Sequence, residues 1–398
     1  MAFPDLLKQD EALAPYTTIG LGGRADWFAE INDVAHLHEG LAWAAREKIP
    51  ALVLGGGSNL ILPDEGVRGL VLRLAFSGIR IEADDQQTAD QDAGDRLDGG
   101  GGVLATAEAG TNWDEFVQAT VEAGLSGVEC LSGIPGTVGA TPIQNVGAYG
   151  QEVSQTIERV VCLDRATFEH RAFTNEQCEF AYRQSRFKSR DRNRFIVLSV
   201  SYRLRRHAIA ELRYGELRQR LEARFGAADA GGGQTSGHSG VAGTTLALPA
   251  GVPGLQAIRE TVLELRRGKS MVLDPQDPNS RSAGSFFLNP VLDSEDVERV
   301  ARIALQRGAD QPPPQYPAPS GIKLSAAWLI ERAGFQKGFR RPGAAISANH
   351  CLALINPGEG TRLNLLELAE EIQAGVLRVF GVRLEIEPEI YGTRETMQ

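Results

Sequence analysis

RSAGSFFLNP, residues 281–290, places one hydroxyl, Ser285, between a glycine and two phenylalanines. A reactive serine in a hydrolase sits in a Gly-x-Ser-x-Gly elbow. Here the second glycine is missing, which leaves open whether Ser285 does chemistry and which chemistry that would be. Gly55-Gly56-Gly57-Ser58-Asn59 offers another kind of chemistry. Successive glycines let backbone N–H groups converge on an anion, with Ser58 and Asn59 adding side-chain hydrogen bonds. A dinucleotide fingerprint would have to open a helix. The chain instead continues Leu60-Ile61-Leu62-Pro63, so a Rossmann fold is disfavoured, while a phosphate contact and a plain tight turn both remain.

LSGIPGTVGATPIQNVGAYG (131–150) crowds small residues, two prolines, Gln144 and Asn145 into a stretch too poor in charge for a solvated loop. Small side chains let a planar ligand or a pyrophosphate approach the backbone. FAYRQSRFKSR (180–190) gathers four cations among aromatics. It reads either as a solvated basic strand or as a source of an arginine that grips a substrate carboxylate bidentately. In RLEIEPEI, strand alternation sets Glu385, Glu387 and Glu389 on one face if the strand stays regular through Pro388. His350 lies nearest a plausible site, but a lone histidine is more often structural. No acid–histidine cluster has metal spacing, so no metal is expected.

The elements that must position these groups change character along the chain. ALVLGGGSNLIL (51–62), GVRGLVLRL (66–74) and RFIVLSVSYRL (194–204) read as strands, and 34–48 and 111–124 as helices, the latter capped by Thr111 or Asn112. In the second half, 255–269, 294–308, 324–334 and 363–381 have helical spacing, and CLALIN (351–356) and VRLEIEPEI (382–390) read as strands. The fold class is α+β, with helices against sheets. Three segments read as surface loops without a core: 82–102, 226–245 and the proline-rich QPPPQYPAPS (311–320).

The chain has 398 residues, enough for two or three domains, and a formal net charge of -10, which argues against nucleic-acid binding. Four cysteines without a C-x-x-C pair read as free thiols of a reducing compartment. The N-terminus carries no signal-peptide pattern, and no apolar run is long enough to span a bilayer. A cytoplasmic protein without membrane contact is expected.

Taken in order, TTIGLGGRAD (17–26), VLGGGSNLIL (53–62), GIPGTVGATPIQNVGAYG (133–150), YRQSRFK (182–188), AGSFFLNP (283–290), AAWLIERAG (326–334) and EPEI (387–390) resemble the UDP-N-acetylenolpyruvoylglucosamine reductase (UDP-N-acetylmuramate dehydrogenase, MurB) family. The resemblance runs from about Tyr16 to Tyr391 outside the two glycine-rich inserts. It implies an FAD-binding domain of the vanillyl-alcohol-oxidase (PCMH) type in two subdomains, 1–75 and 76–206. A substrate-binding C-terminal domain, 207–398, would follow, its last residues returning to the FAD domain. It implies non-covalent FAD, NADPH as co-substrate and reduction of UDP-N-acetylglucosamine enolpyruvate to UDP-N-acetylmuramate in peptidoglycan synthesis, by a monomer. The resemblance further implies that hydride goes to C3 of the enolpyruvyl group and that a general acid protonates C2.

Matched motif by motif, the catalytic set is Ser285 as proton donor, Arg183 and Glu389. The cofactor contacts are Gly55, Gly56, Gly57, Ser58 and Asn59 in one loop, and Gly133, Ile134, Pro135, Gly136, Gly139, Ala140, Asn145 and Gly147 in the other. The substrate contacts are Tyr182, Tyr214, Lys269 and Asn289. LRYGEL (212–217) looks like the tyrosine-bearing insertion that closes over the diphosphate in some members. The segment 266–281, which carries Lys269, is longer than the family's pattern. Two other readings stand beside this one. Another FAD-dependent oxidoreductase of the same fold would need neither the Ser-Phe-Phe acid nor a diphosphate clamp. A flavin- or nucleotide-sugar-binding protein without turnover could dispense with Ser285, Arg183 or Glu389.

Overall fold

The computed structural model describes residues 3–83, 102–206, 212, 214–226, 246 and 248–392. The expected glycine-rich loops 82–102 and 226–245 lie outside these residues except at their ends. The α-helices described are α1 (Val34–Glu47), α2 (Trp113–Glu122), α3 (Gly215–Phe225), α4 (Val252–Arg267), α5 (Ser294–Gln306), α6 (Ala326–Arg332) and α7 (Arg362–Phe380). None of them is long and apolar enough to cross a membrane. The chain folds into two compact units, one made of residues 1–30, 39–73 and 267–398, the other of 31–38 and 74–266.

The first unit is built on α7. Leu365, Leu368, Ala369, Ile372, Val376 and Phe380 recur at three- and four-residue spacing and are buried together with Phe286, Phe287, Leu329 and Ile330. Thr361 and Asn364 cap one end of α7 reciprocally, and Gly381, at φ +68°, turns the chain out of the other. The N-terminal part of this unit contains a sheet of Lys8–Ala12, Arg24–Ile31, Val67–Leu74 and Ala51–Leu54, in that spatial order. Ala51–Leu54 and Val67–Leu74 run parallel.

The second unit is an antiparallel sheet in the order His170–Thr174, Ile157–Asp164, Phe195–Arg206, Gly102–Glu108, Ile79–Ala83. In α2, Asn112 rather than Thr111 is the cap, accepting from the N–H groups of Asp114 and Glu115. Its buried face packs Trp113 and Phe116, tilted, against Tyr202 of the sheet. Leu217 and Leu221 of α3 and Ile258, Val262 and Leu265 of α4 form a separate apolar cluster with Cys130.

Three expectations are corrected here. The proline-rich stretch is not wholly loop, because Gln315–Ala318 is a strand paired with Gly321–Leu324. It is an edge strand, where Pro317 is tolerated because one side of the strand lacks a ladder partner. VRLEIEPEI is not one strand: Ile386 makes an isolated bridge and only Glu389–Ile390 pairs, beyond a buried Pro388. The even alternation of Glu385, Glu387 and Glu389 is thereby lost, Glu385 being exposed and the other two half-buried. Of CLALIN only Leu354–Ile355 is strand. All four cysteines are buried and unpaired by disulfides.

Candidate active site

In the first unit, main-chain bonds gather segments that are far apart in sequence. The N–H of Phe286 donates to the Leu352 carbonyl at 2.7 Å, and the N–H of Glu387 donates to the Phe286 carbonyl at 3.0 Å. Phe287 bridges Ile386. Three residues on, the N–H of Glu389 donates to the Asn59 carbonyl at 2.9 Å, and Glu389–Ile390 runs parallel to Leu60–Ile61. The glycine turn is tied in from its other side, where the Thr18 N–H donates to the Gly57 carbonyl at 3.1 Å. The Thr18 hydroxyl also donates to the Ser282 carbonyl at 2.6 Å. Ser285, Glu389 and the glycine turn are thus held on one framework, and sequence reading missed Thr18 as its tie.

Ser285 is half-buried between Gly284, at φ +79°, and the fully buried pair Phe286 and Phe287. A Cβ added at Gly284 would meet open space. The phenylalanines anchor the segment in the core while Ser285 stays at its border. Asn289 is held differently: its side-chain oxygen accepts from the Ala326 N–H at 2.9 Å, at the start of α6. Lys269 is half-buried just after α4, ahead of Ser270, whose hydroxyl accepts from the Asn349 amide at 2.8 Å.

In the second unit, Tyr182 and Arg183 are the central residues of the turn 181–184, and Arg183 has φ +55°. Its guanidinium donates to the Gly147 carbonyl at 2.7 Å and lies 5.3 Å from the Tyr182 ring centre. The expected basic strand 180–190 is therefore a run of turns. Tyr214 stands at the start of α3, with its ring edge-on to Tyr149 at 5.0 Å. Asn145 is 1% exposed and hydrogen-bonded inside the chain. Gly139 packs so closely on Ala109 that a Cβ would lie 2.6 Å from the alanine methyl.

The loop opening at Gly133 is set by a residue that sequence reading passed over. The Gly133 N–H donates to Asp114 at 2.5 Å, and Arg259 of α4 donates to both oxygens of the same carboxylate at 2.6 and 2.8 Å. Burial pushes the Asp114 carboxyl up, but the Arg259 hydrogen bonds, the Gly133 N–H and the nearby arginine charges outweigh it and hold it below the usual carboxylate range. The signal available was the acid in the first turn of α2, which reads equally as an ordinary helix-start charge.

Both glycine turns suit a flavin diphosphate or ring edge. Among the described residues, no acceptor meets the N–H groups of Gly56, Gly57 and Ser58 in one unit, or of Ile134 and Gly136 in the other. Clustered backbone donors of this kind are what anionic cofactors need.

Residues 25–166 match a family described as an FAD binding domain. Residues 275–391 match the C-terminal domain of UDP-N-acetylenolpyruvoylglucosamine reductase. The reductase of that name from Thermobifida fusca is 44% identical over 384 residues, 96% of this chain and 96% of the relative. The chain belongs to the UDP-N-acetylenolpyruvoylglucosamine reductase family. The Saccharopolyspora erythraea member is 45% identical over 95% of this chain and 93% of its own. The crystal structure of the Thermus caldophilus reductase covers 97% of this chain and 98% of its own with a TM-score of 0.57 at 24% identity, and so shares the fold. As a member of the reductase family, the protein is an FAD-dependent oxidoreductase of peptidoglycan synthesis, and its α+β class is that of the family.

Proposed function

We propose that this chain reduces UDP-N-acetylglucosamine enolpyruvate to UDP-N-acetylmuramate through FAD, with NADPH as the reductant. The observation that carries the residue assignment is the main-chain framework that holds Ser285, Glu389 and the glycine turn together. FAD held by the two glycine turns would supply the hydride chemistry that links NADPH to C3 of the enolpyruvyl group.

Ser285 supplies the proton for C2. An alcohol is a weak acid, but an enolate is basic enough to take its proton, and buried Phe286 and Phe287 beside it disfavour competing water. Arg183 stabilises the negative charge that develops on the substrate carboxylate as hydride adds, a role that needs a donor already fixed in place. Glu389 completes the catalytic set. A carboxylate cannot stabilise a developing anion, so its work is to hold or orient a proton.

Gly55, Gly56, Gly57, Ser58 and Asn59, with Gly133, Ile134, Pro135, Gly136, Gly139, Ala140 and Gly147, serve FAD. Tyr182, Tyr214, Lys269 and the amide N–H₂ of Asn289 serve the substrate. Subdomains at 1–75 and 76–206 and a substrate domain at 207–398 belong to the same reading. So do non-covalent FAD, a monomer and a cytoplasmic location.

Ser285→Ala tests the assignment by separating the half-reactions in anaerobic stopped flow. Flavin reduction by NADPH should survive nearly intact, because it needs no proton at C2. Reoxidation by the enolpyruvyl substrate should slow ~10²–10⁴-fold, the usual worth of a positioned general acid. Ser285→Cys should restore part of the rate. Equal slowing of both halves would show a general disturbance, and unslowed reoxidation would give the proton to water or another group.

A further inference from the structure

Asn145 was expected to touch the cofactor, yet its side chain is engaged within the chain. Its amide N–H₂ donates to Glu152 Oε2 and to the Ala181 carbonyl, both at 3.0 Å. Its oxygen accepts from the Ser154 N–H at 3.1 Å. Its backbone, at φ +48°, adopts the left-handed conformation that asparagine tolerates better than most residues.

What it holds is the turn that bears Arg183. Ala181 and Gln184 close that turn with two reciprocal main-chain bonds of 3.0 Å. Arg183 reaches back to the Gly147 carbonyl, two residues after Asn145. Gly147 belongs to a hairpin paired with Gln151–Glu152, and Glu152 is the second group held by the Asn145 amide. One side chain therefore ties the base of the arginine's turn to the hairpin that anchors the arginine's tip. The crowding is tight, because a Cβ at Gly147 would lie 2.7 Å from Glu152 Cγ and 3.2 Å from Arg183 Nη1.

We propose that Asn145 is a positioning residue for the reaction, acting through Arg183 rather than on the cofactor. Arginine carries a long side chain with much rotamer freedom, and fixing both its turn and its anchor pre-organises the guanidinium for a charge that exists only in the transition state. The inference rests on the catalytic reading of Arg183 given above.

The test uses the FAD-loaded protein and three substitutions. Asn145→Gly removes the amide while keeping the left-handed backbone easy. Asn145→Asp keeps the acceptor for Ser154 but loses both donations and sets a carboxylate against Glu152. Arg183→Ala is made alone and with each of them. Flavin reduction by NADPH should stay within about twofold in the Asn145 variants, and reoxidation by the enolpyruvyl substrate should slow roughly 10–10²-fold, the range in which small misplacements act. The double variants should be no slower than Arg183→Ala alone, since a residue acting through another adds nothing once that other is gone.

Multiplicative slowing in the double variants would overturn the inference. So would lost flavin with equal slowing of both halves, which would make Asn145 a cofactor contact or a general scaffold residue. Unchanged reoxidation in both Asn145 variants would also overturn it. If Asn145→Gly fails to fold, Asn145→Asp decides by the same criteria. If Arg183→Ala reoxidises at the wild-type rate, the reading of Arg183 fails first and the positioning role falls with it.

Discussion

Asp114 shows how a single side chain can order a loop without a recognisable motif. It links the Gly133 loop to α4 through one N–H and a two-pronged arginine contact. Its depressed pKa carries a sign: an acid with a lower pKa folded than unfolded contributes stability that is present above the unfolded value, about 3.9, and lost as pH falls through the folded one. Asp114→Asn should cost roughly 1.5–3 kcal/mol near neutrality, the range of hydrogen bonds to charged groups. Denaturant melts should show the gap to wild type closing below about pH 4. A gap that is constant with pH would mean that the carboxylate charge contributes nothing. Ser285, Arg183 and Glu389 were proposed through the likeness of their motifs to those of the family. The sequence did not name Asp114 or Thr18, whose partners Arg259 and Ser282 are distant in the chain, or the inward hydrogen bonds of Asn145, which no local pattern encodes.

Helices were readable from their spacing and caps, as α7 with its Thr361 cap and Gly381 exit shows. The segment 382–390 misled because its apolar alternation is strand-like while a buried Pro388 interrupts the pairing. The glycine turn after Ala51–Leu54 is an element whose sequence is dictated by its backbone. Gly57 has φ +59°, and a Cβ there would run into the Tyr16 carbonyl, which is backbone and cannot swing aside. Gly57→Ala should lower stability by roughly 2–3 kcal/mol, the upper part of the ordinary range for one substitution, and loosen FAD. Thermal melts and the flavin retained through gel filtration check both, and an unchanged melting temperature with full flavin would contradict them. At the start of α3, Tyr214 is 37% exposed and edge-on to Tyr149. Tyr214→Ala should raise KM for the enolpyruvyl substrate about fivefold, the worth of one aromatic contact, with kcat nearly unchanged. A fall in kcat at constant KM would remove Tyr214 from substrate binding.

For the molecule as a whole, composition and motif order gave the class and the family, and 44% identity over 96% of the chain agrees. The chain's grouping was not readable: residues 1–30 and 39–73 share a compact unit with 267–398. Such long-range assembly depends on pairings like Glu389–Ile390 beside Leu60–Ile61, more than three hundred residues apart. The claim that these parts serve one two-step reduction is tested most directly on the purified wild-type protein under anaerobic conditions. Adding NADPH should bleach the yellow flavin absorbance fully, and adding UDP-N-acetylglucosamine enolpyruvate should then restore it, with one UDP-N-acetylmuramate formed per flavin reoxidised. A bleached protein that the enolpyruvyl substrate cannot recolour would contradict the account.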